Sequence, residues 1–260
     1  MTVERGETPT RESALSLPAA IRACLFDLDG VLTQTAKVHA AAWKEMFDSF
    51  LRARAESRGE PFVPFDAHDD YDEYVDGKQR LDGVRSFLTS RGITLPEGTP
   101  DDPPEAETVA GLGNRKNELV LAMIRREGVE AYEGSVNYVR ALREAGIRRA
   151  VVSSSANCRE VLEAAGIADL FEVRVDAIVA ARERLRGKPA PDTFLAAAKM
   201  LGVGPPEAAV FEDALAGVAA GRAGDFGLVV GVDRVGQADA LRAHGADVVV
   251  SDLAELLEHA

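Results

Sequence analysis

Short apolar runs and helical stretches alternate along this chain from Ile21 onward, and no other feature restricts its possible folds so strongly. Repeated βα units predict a parallel sheet, because parallel strands need crossover connections that cover both faces of the sheet with helices. The alternation is interrupted once, after the first strand, by a long stretch with helical periodicity and no strand pattern. The sequence therefore predicts an α/β fold with a Rossmann-like core and an inserted all-helical cap.

The predicted elements follow from hydrophobic periodicity and from turn residues. The predicted strands are residues 21–27, 148–154, 171–177, 208–213, 226–232 and 247–250. The predicted helices are residues 36–59, 79–91, 105–127, 135–146, 158–166, 191–202 and 214–224. We expect a mobile N-terminal tail over 1–17, a core formed by 18–34 and 131–260, and a cap over 35–130.

Charge and composition exclude several classes of protein. The chain has 43 Asp and Glu against 30 Lys and Arg, a net charge of -13, which argues against a nucleic-acid surface and against adhesion to an anionic membrane. Two cysteines make no disulfide framework and suit a reducing compartment. No stretch resembles a membrane span or a signal peptide. We expect a cytoplasmic monomer whose partner is a small molecule.

Polar side chains follow the core strands at the sheet edge where ligands bind in open α/β folds. Carboxylates that abut a buried apolar run such as "CLF" need a cation, hydrogen bonds or a chemical role, because an unpartnered buried charge is costly. The residues expected at this edge are Asp27 and Asp29 after the first strand, Ser153, Ser154 and Ser155 after the second, Lys188 after the third, and Glu212 and Asp213 after the fourth.

This set of side chains indicates a magnesium and phosphate site. Four carboxylates in one crevice repel one another unless a divalent cation joins them, and Mg²⁺ prefers oxygen ligands, water and substrate phosphate. A cation, a lysine and hydroxyl groups can together hold a phosphoryl group. Zinc is not expected, because the four histidines lack ligand spacing. The acidic residues near Tyr71 and Tyr74 are expected to form a solvated face, not a calcium loop.

Four motifs occur in this order along the chain: "DLDGVL", the serine that ends the second strand, "KPAPD" and "ED". In these motifs and their order, the chain resembles the haloacid dehalogenase-like superfamily of phosphotransferases. The resemblance implies that Asp27 is the nucleophile that becomes an aspartyl-phosphate and that Asp29 is the general acid and base. It implies that Ser153 and Lys188 hold the phosphoryl group. The implied Mg²⁺ ligands are Asp27, the Asp29 carbonyl, Glu212 and Asp213.

The cap motifs narrow the resemblance. "DGVLTQTAKVHAAAW", "DGKQR", "NRKNE" and "SSSAN" are similar to the β-phosphoglucomutase group of this superfamily. That similarity implies a hinge at Thr35 and cap residues His39 and Lys116 near Asp29. It also implies that the substrate-binding residues include Gly77, Arg80, Ser154, Ser155 and Asn157, with Arg80, Ser155 and Asn157 on the non-transferring phosphate of a bisphosphate.

Two positions depart from the pattern of the group. Gln34 replaces an acidic residue before the hinge threonine, and Ala156 replaces a lysine that would help to grip the distal phosphate. The second change removes a cation from the bisphosphate site. Arg159 or Lys78 could compensate for that loss, which we state as a hypothesis.

The resemblance implies a Mg²⁺-dependent mutase that converts β-glucose 1-phosphate to glucose 6-phosphate through glucose 1,6-bisphosphate. The alternative is a phosphatase of sugar phosphates or other small phosphomonoesters, which would use the same Asp27 and Asp29 but transfer the phosphoryl group to water. A third possibility is a non-catalytic phosphosugar-binding module. The joint presence of the nucleophile, the general acid and the metal ligands argues against it.

Each residue also has a structural explanation on its own. A strand-end aspartate is often a turn or helix cap, and Ser153 to Ser155 could cap the next helix. His39 could be the polar edge of an apolar stripe, and Arg80 and Lys116 could be surface charges. The occurrence of all the core motifs in order favours the catalytic interpretation.

Overall fold

A computed structural model describes residues 14–257 of the chain. Its centre is a six-stranded sheet in the order β3-β2-β1-β4-β5-β6, in which every neighbouring pair is parallel. The strands are β1 (Ala23–Phe26), β2 (Arg148–Val152), β3 (Val173–Val175), β4 (Ala208–Glu212), β5 (Leu228–Val232) and β6 (Val248–Val250). The first strand is central, so residues that follow it stand at the switch point of the strand order, where ligands bind.

Nine α-helices longer than one turn lie within the described residues. They are α1 (Ala36–Arg58), α2 (Arg80–Ser90), α3 (Val109–Glu127), α4 (Glu133–Glu144), α5 (Cys158–Ala164), α6 (Ala177–Glu183), α7 (Asp192–Met200), α8 (Leu215–Ala223) and α9 (Ala238–Ala243). A π-helical turn occupies Tyr71–Val75. Across residues 14–257, no helix combines the length and the apolar character needed to cross a membrane.

Both faces of the sheet are buried, as the near-continuous apolar strands predict. Successive residues of β1 point to opposite faces: Phe26 packs in one cluster, stacked on Phe211 at 4.5 Å between ring centroids, and Leu25 packs in the other with Phe194. Every residue of β1 is buried. The predicted α/β fold class is confirmed, and Asp27, Asp29 and Asp213 follow central strands whose residues are all buried.

The helical segment between β1 and β2 has an apolar cluster of its own. Phe47 of α1 is at its centre and stacks on Trp43 and Phe65, while Phe87 of α2 lies 4.2 Å from it between ring centroids. Leu112 of α3 completes the contact among the three helices. The cap helices therefore pack on one another, as their apolar spacing predicts.

Two chain segments join these helices to the core, and they are hydrogen bonded to each other. The Gln34 amide donates to the Glu130 carbonyl at 2.8 Å, and the Tyr132 amide donates to the Leu32 carbonyl at 2.9 Å. Thr33 and Ala131 form an antiparallel bridge between them. We call residues 32–35 and 129–132 the two linkers.

Some element boundaries differ from prediction. The third helix begins at Val109, not at Glu105, because the Thr108 hydroxyl caps it by accepting from the Gly111 amide. Helices α6 and α9 and the turn Tyr71–Val75 were not predicted, since each is shorter than the roughly 11 residues over which helical periodicity is read.

Part of the predicted N-terminal tail packs on the core. Leu15 and Leu17 are buried in the core cluster, and the Leu15 carbonyl accepts a hydrogen bond from the Tyr138 hydroxyl at 3.0 Å. The prediction of a mobile tail is therefore wrong for residues 14–17, because the side chains of Leu15 and Leu17 pack in the apolar cluster on one face of the sheet. Residues 1–13 and 258–260 lie outside the described part of the chain.

Candidate active site

A buried lysine joins the ends of three strands. The Lys188 Nζ atom donates to Asp27 Oδ1 at 2.5 Å, to Glu212 Oε1 at 2.6 Å and to the Val152 carbonyl at 3.2 Å. Asp27 follows β1 directly, and its amide extends the sheet by donating to Phe211. All three charged side chains are buried. Lys188 thus offsets part of the cost of burying two carboxylates and orients Asp27 at the strand end.

Both carboxylate oxygens of Glu212 are hydrogen bonded within the protein. One oxygen accepts from Lys188 and the other accepts from the Ala214 amide at 2.7 Å. Gly217 makes this placement possible, since a Cβ there would lie 1.7 Å from Glu212 Oε1. In this structure the carboxylate of Glu212 holds Lys188, and its role as a metal ligand stays a prediction of the sequence.

Asp29 stands two residues beyond Asp27, on a loop that only glycine allows to approach Asp213. Gly30 has a φ of 96°, and a Cβ there would lie 1.7 Å from Asp213 Oδ2. The Thr35 hydroxyl donates to Asp29 Oδ1, and the hydroxyls of Thr33 and Thr35 lie 2.7 Å apart. The predicted hinge residue Thr35 therefore contacts the carboxyl group of Asp29 directly.

His39 of α1 and Lys116 of α3 bring the cap to Asp29. Lys116 Nζ lies 2.9 Å from His39 Nδ1, and His39 Nε2 lies 3.6 Å from Asp29 Oδ1. Burial and the charge of Lys116 lower the pKa of His39 well below its usual value, so the imidazole is neutral. Burial lowers the pKa of Lys116 to about 7, so the direction of the hydrogen bond between Lys116 Nζ and His39 Nδ1 depends on the protonation of both groups. The Nε2 atom of His39, which faces Asp29, is buried without a hydrogen-bond partner.

Hydrogen bonds between the core and the cap surround the other end of the site. The Ser154 hydroxyl donates to the Gly77 carbonyl at 2.6 Å, and the Asn157 side-chain amide donates to Asn117 Oδ1 at 3.0 Å. The Ser153 hydroxyl accepts from the Ser155 amide at 3.1 Å. The serine loop therefore has an internal hydrogen bond and contacts the cap at two points.

A cavity of about 630 Å³ lies between the core and the cap. The core residues of the predicted site that line it are Asp27, Asp29, Ser154, Ser155, Asn157 and Asp213, and the cap residues are His39, Gly77, Arg80 and Lys116. Four predicted residues do not line it: Thr35, Ser153, Lys188 and Glu212. Thr35 is hydrogen bonded to Asp29, Lys188 is hydrogen bonded to Asp27, and Glu212 is hydrogen bonded to Lys188. The Nε atom of Arg80 is buried without a partner.

Nearby positive charge does not fully neutralise the carboxylates of the site. Burial raises the pKa of Asp27 to about 6 and that of Glu212 to about 7, although Lys188 lowers both. Burial also raises the pKa values of Asp29 and Asp213, and for Asp213 the negative charges of Asp76, Glu212 and Asp27 add to the effect. One lysine among these carboxylates leaves an excess of negative charge that a divalent cation would neutralise.

The raised pKa values predict how the stability of the metal-free protein depends on pH. Asp27, Glu212 and Asp76 titrate near 6, 7 and 7 in the folded protein, well above their ordinary values. The folded state therefore binds more protons than the unfolded state between about pH 4 and 7, and this stabilisation is lost as the pH rises through 6 to 7. We expect the Tm in EDTA to fall between pH 5 and 7.5.

Thermal unfolding at constant ionic strength measures this slope. The variant Asp76→Asn removes one of the three groups, so its Tm should depend less steeply on pH. Asp239→Asn, at an exposed position of α9, is the matched control and should keep the slope of the parent protein. A Tm that stays constant or rises over this range would contradict the assignment of raised pKa values.

The donor set fits magnesium better than a metal held by protein ligands alone. Among residues 14–257, no group of three or more His, Cys, Asp or Glu side chains is arranged to hold a metal ion by itself. Asp27 and Asp213 both line the cavity, and both have pKa values raised by burial and by other carboxylates. Mg²⁺ commonly takes one or two carboxylates and completes its shell with water and substrate phosphate. The residues present fit that pattern.

Sequence reasoning missed Asp76 and Tyr71. Both line the cavity, the Tyr71 hydroxyl is hydrogen bonded to Asp76, and burial raises the pKa of Asp76 to about 7. The four acidic residues near Tyr71 and Tyr74 were expected to form a solvated face, which is wrong for Asp70, whose carboxylate pairs with Arg91 at 2.6 Å. The position of Asp76 directly before Gly77 was the one available signal.

Neither proposed substitute for the lysine missing at position 156 is a free cation. Arg159 is exposed, pairs with Glu163 at 2.8 Å, and does not line the cavity. Lys78 lines the cavity, but its ammonium group donates to the Glu73 carbonyl and to the Ser86 hydroxyl. In this structure Arg159 is therefore not placed to compensate, and Lys78 would have to exchange its partners to do so.

The fold and the strand-end carboxylates together define a class of protein. Residues 21–225 match the family model of the haloacid dehalogenase-like hydrolases, and the chain belongs to that family. Members of the family generally use Mg²⁺.

Within the family the chain falls in the β-phosphoglucomutase-like group, which confirms the resemblance seen in the sequence. It is 59% identical over 250 residues to the β-phosphoglucomutase of Mycobacterium tuberculosis, with 95% of each chain covered. It is 30% identical to the β-phosphoglucomutase of Bacillus subtilis, over 91% of this chain and 92% of that one. A crystal structure of β-phosphoglucomutase from Clostridium difficile superposes with a TM-score of 0.67 at 26% identity, covering 92% and 94% of the two chains.

Proposed function

We propose that this chain is a Mg²⁺-dependent β-phosphoglucomutase that converts β-glucose 1-phosphate to glucose 6-phosphate through an aspartyl-phosphate and glucose 1,6-bisphosphate. The observation that carries the proposal is the single cavity that runs from Asp27 and Asp29 to Arg80 and Asn157. It has a reactive end and a second polar end, which a bisphosphate requires. The identity to named β-phosphoglucomutases supports it.

In the first half-reaction, the phosphoryl group passes from Asp27 to the sugar. Asp29 accepts the proton of the sugar 6-hydroxyl, the new oxygen–phosphorus bond forms, and the bond between phosphorus and the Asp27 oxygen breaks. In the second half-reaction the bisphosphate has turned round. Asp27 attacks the phosphorus at C1, and Asp29 returns its proton to the departing C1 oxygen. The raised pKa of Asp29 suits a group that must carry a proton in one step and lack it in the other.

The neighbours of the two aspartates explain how their roles differ. Asp27 is held by Lys188 from the core, so its position does not depend on the cap. Asp29 is hydrogen bonded by Thr35 at the start of α1 and faced by His39, so its carboxyl group responds to the position of the cap. Asp29 therefore transfers its proton only when the cap is closed. A closed cap also excludes water from the aspartyl-phosphate.

We propose that Mg²⁺ is held by the carboxylates of Asp27 and Asp213 and by the backbone carbonyl of Asp29. When bound, it would neutralise charge on the phosphoryl group that Asp27 attacks. Glu212 acts through Lys188, which it orients by a hydrogen bond of 2.6 Å. Ser153 is buried beside the site, and we propose that it supports the phosphoryl group together with Lys188.

Arg80 is the residue best placed to bind the distal phosphate. Its side chain lines the cavity, and its Nε atom is buried with no partner. Burial lowers its pKa, but a guanidinium remains charged at neutral pH. Ser155 and Asn157 line the same end of the cavity from the core.

We expect Arg80→Gln to lower kcat/KM for β-glucose 1-phosphate by about 10- to 100-fold, because it removes a charged donor to the distal phosphate. Hydrolysis of p-nitrophenyl phosphate, which has no second phosphate, should not change. Arg159→Gln is the matched control and should leave both rates unaltered, since Arg159 is exposed and paired with Glu163. Equal losses on both substrates would show that Arg80 supports the fold and not the distal phosphate.

A phosphatase is the alternative, and Ala156 is the observation that favours it. Ala156 lines the cavity where the mutase pattern has a lysine, so the distal phosphate would be held by one cation fewer. A weaker grip on a bisphosphate gives water more opportunity to reach the aspartyl-phosphate. The cap contacts of Ser154 and Asn157 argue for a closed site and hence for the mutase.

The bisphosphate requirement tests the proposal. We would follow glucose 6-phosphate formation from β-glucose 1-phosphate and Mg²⁺, with and without a trace of glucose 1,6-bisphosphate. A mutase that must start as the aspartyl-phosphate should show a lag that the bisphosphate removes. A steady release of phosphate that glucose 1,6-bisphosphate does not alter would support the phosphatase.

We also propose that the cap comprises residues 35–130 and the core the remainder, with the two linkers between them. The sugar phosphate is the only partner that this proposal requires. The cytoplasmic monomer stays a prediction of the sequence.

A further inference from the structure

Arg234 lies outside the cavity described above, yet it is the most extensively bonded side chain near the two linkers. It follows β5 and is largely buried. Its Nε atom donates to the Gly30 carbonyl at 2.9 Å, and its Nη1 atom donates to the Ser251 carbonyl at 2.7 Å and to Asp252 Oδ2 at 2.9 Å. The guanidinium therefore links the end of the sheet, the C-terminal turn and the loop that follows Asp29.

The same guanidinium contacts both segments that lead to the cap. Its Cζ atom lies 3.6 Å from the ring centroid of Tyr132, in the second linker. Its Nη2 atom lies 3.5 Å from the Val31 carbonyl, just before the first linker, and 3.4 Å from the Ser135 hydroxyl. Ser135 in turn donates to the Val31 carbonyl at 2.7 Å. One planar cation thus holds both linkers where they leave the core.

A chain of short contacts leads from Arg234 to the carboxyl group of Asp29. Gly30, whose carbonyl Arg234 binds, donates its amide to the Thr33 carbonyl at 2.8 Å. The hydroxyl of Thr33 lies 2.7 Å from that of Thr35, which donates to Asp29. Three contacts therefore connect Gly30 with the carboxyl group of Asp29.

We propose that Arg234 is a positioning residue that anchors both linkers to the core, so that closure of the cap and placement of Asp29 occur together. Arg234 touches no atom of the cavity and acts through Gly30, Val31 and Tyr132. A hinge needs a fixed end, and hinge residues are commonly remote from the chemistry that they control. This inference rests on the proposed function for its kinetic part only.

Two readouts separate the anchor from general support of the fold. The first is hydrogen exchange of the full-length protein followed by mass spectrometry. In Arg234→Met, amides of peptides covering 28–35 and 129–133 should exchange about tenfold faster or more, because Gly30 and Val31 lose the charged donor to their carbonyls and Tyr132 loses the cation stacked on its ring. Peptides from β1, β4 and α7 should exchange as in the parent protein.

The second readout is the fate of the phosphoryl group. Arg234→Met should lower kcat about 10- to 100-fold with little change in KM, and should raise the share of inorganic phosphate among the products, because a loosely closed site admits water. Arg234→Lys keeps the positive charge but lacks the planar guanidinium, so its kcat and its share of inorganic phosphate should lie between those of the parent protein and Arg234→Met. Arg242→Met, at an exposed position of α9, is the matched control and should change neither readout.

The outcomes are distinguishable. Faster exchange confined to the linkers supports the role of Arg234 as an anchor even where the parent protein proves to be a phosphatase. The anchor proposal can therefore hold when the mutase proposal fails. Unchanged exchange at the linkers in Arg234→Met would overturn it, as would faster exchange spread evenly over the core. Where Arg234→Met does not fold, Arg234→Lys and Tyr132→Leu, which removes only the stacked ring, provide the same test.

Discussion

Replacement of Asp27 by asparagine is expected to abolish turnover while leaving the protein folded. The amide is not a nucleophile toward phosphorus, so kcat should fall by at least about 10⁴-fold, as loss of an attacking group does in other enzymes. Stability should not fall, because burial already disfavours the charged form of Asp27 and Lys188 keeps its hydrogen bond to Glu212. In this variant Lys188 pairs with one carboxylate, Glu212, in place of two.

The measurement combines rates with intact-mass spectrometry after acid quench. The parent protein should gain the mass of one phosphoryl group during turnover, and Asp27→Asn should not. Asp239→Asn, with an exposed side chain, controls for the change of one carboxylate to an amide. Residual activity of Asp27→Asn above about 1% of the parent rate would contradict the role of Asp27 as the nucleophile.

Replacement of Lys188 by methionine is expected to damage both stability and catalysis. Two buried carboxylates, Asp27 and Glu212, would remain close together without their cation, which we expect to cost about 3–5 kcal/mol in the free energy of unfolding near pH 7.5. The loss should shrink near pH 5.5, where the carboxyl groups of the variant take up protons. kcat should fall about 10²- to 10³-fold, because a fixed charge on the phosphoryl group is removed.

Urea unfolding at the two pH values and steady-state rates test this expectation. Lys199→Met, at an exposed position of α7, is the matched control and should change neither quantity. The double variant Lys188→Met with Glu212→Gln removes one of the stranded charges, so stability should partly return while activity does not. Recovery of activity in the double variant would mean that Lys188 acts only by supporting the fold.

The core part of the site was accessible from the sequence because it depends on strand ends. A buried run such as "CLF" identifies a central strand, and parallel strands bring their carboxyl ends to one edge. Asp27, Lys188 and Glu212 therefore had to lie near one another, and the structure places them within hydrogen-bond distance. The pattern could not supply the orientation of each side chain, such as the two hydrogen bonds of the Glu212 carboxylate to Lys188 and to the Ala214 amide.

The contacts between cap and core were less accessible, because they depend on how two separately packed parts meet. Nothing in the periodicity of the cap indicates that Asp76 turns into the cavity or that Asn117 reaches Asn157. Arg234 left no signal at all, since four of its hydrogen-bond partners are backbone carbonyls or a lone serine. Leu15 and Leu17 were missed for a related reason: two apolar residues are too few to show a period.

The measurement that tests the central claim most directly is a paired product assay. Purified protein would be incubated with Mg²⁺, β-glucose 1-phosphate and a trace of glucose 1,6-bisphosphate, and glucose 6-phosphate and inorganic phosphate would be followed in the same sample. We predict rapid formation of glucose 6-phosphate with little inorganic phosphate, because the proposed closure of the cap over the site would keep water from the aspartyl-phosphate on Asp27. Inorganic phosphate as the main product would contradict the mutase and would show that the site transfers its phosphoryl group to water.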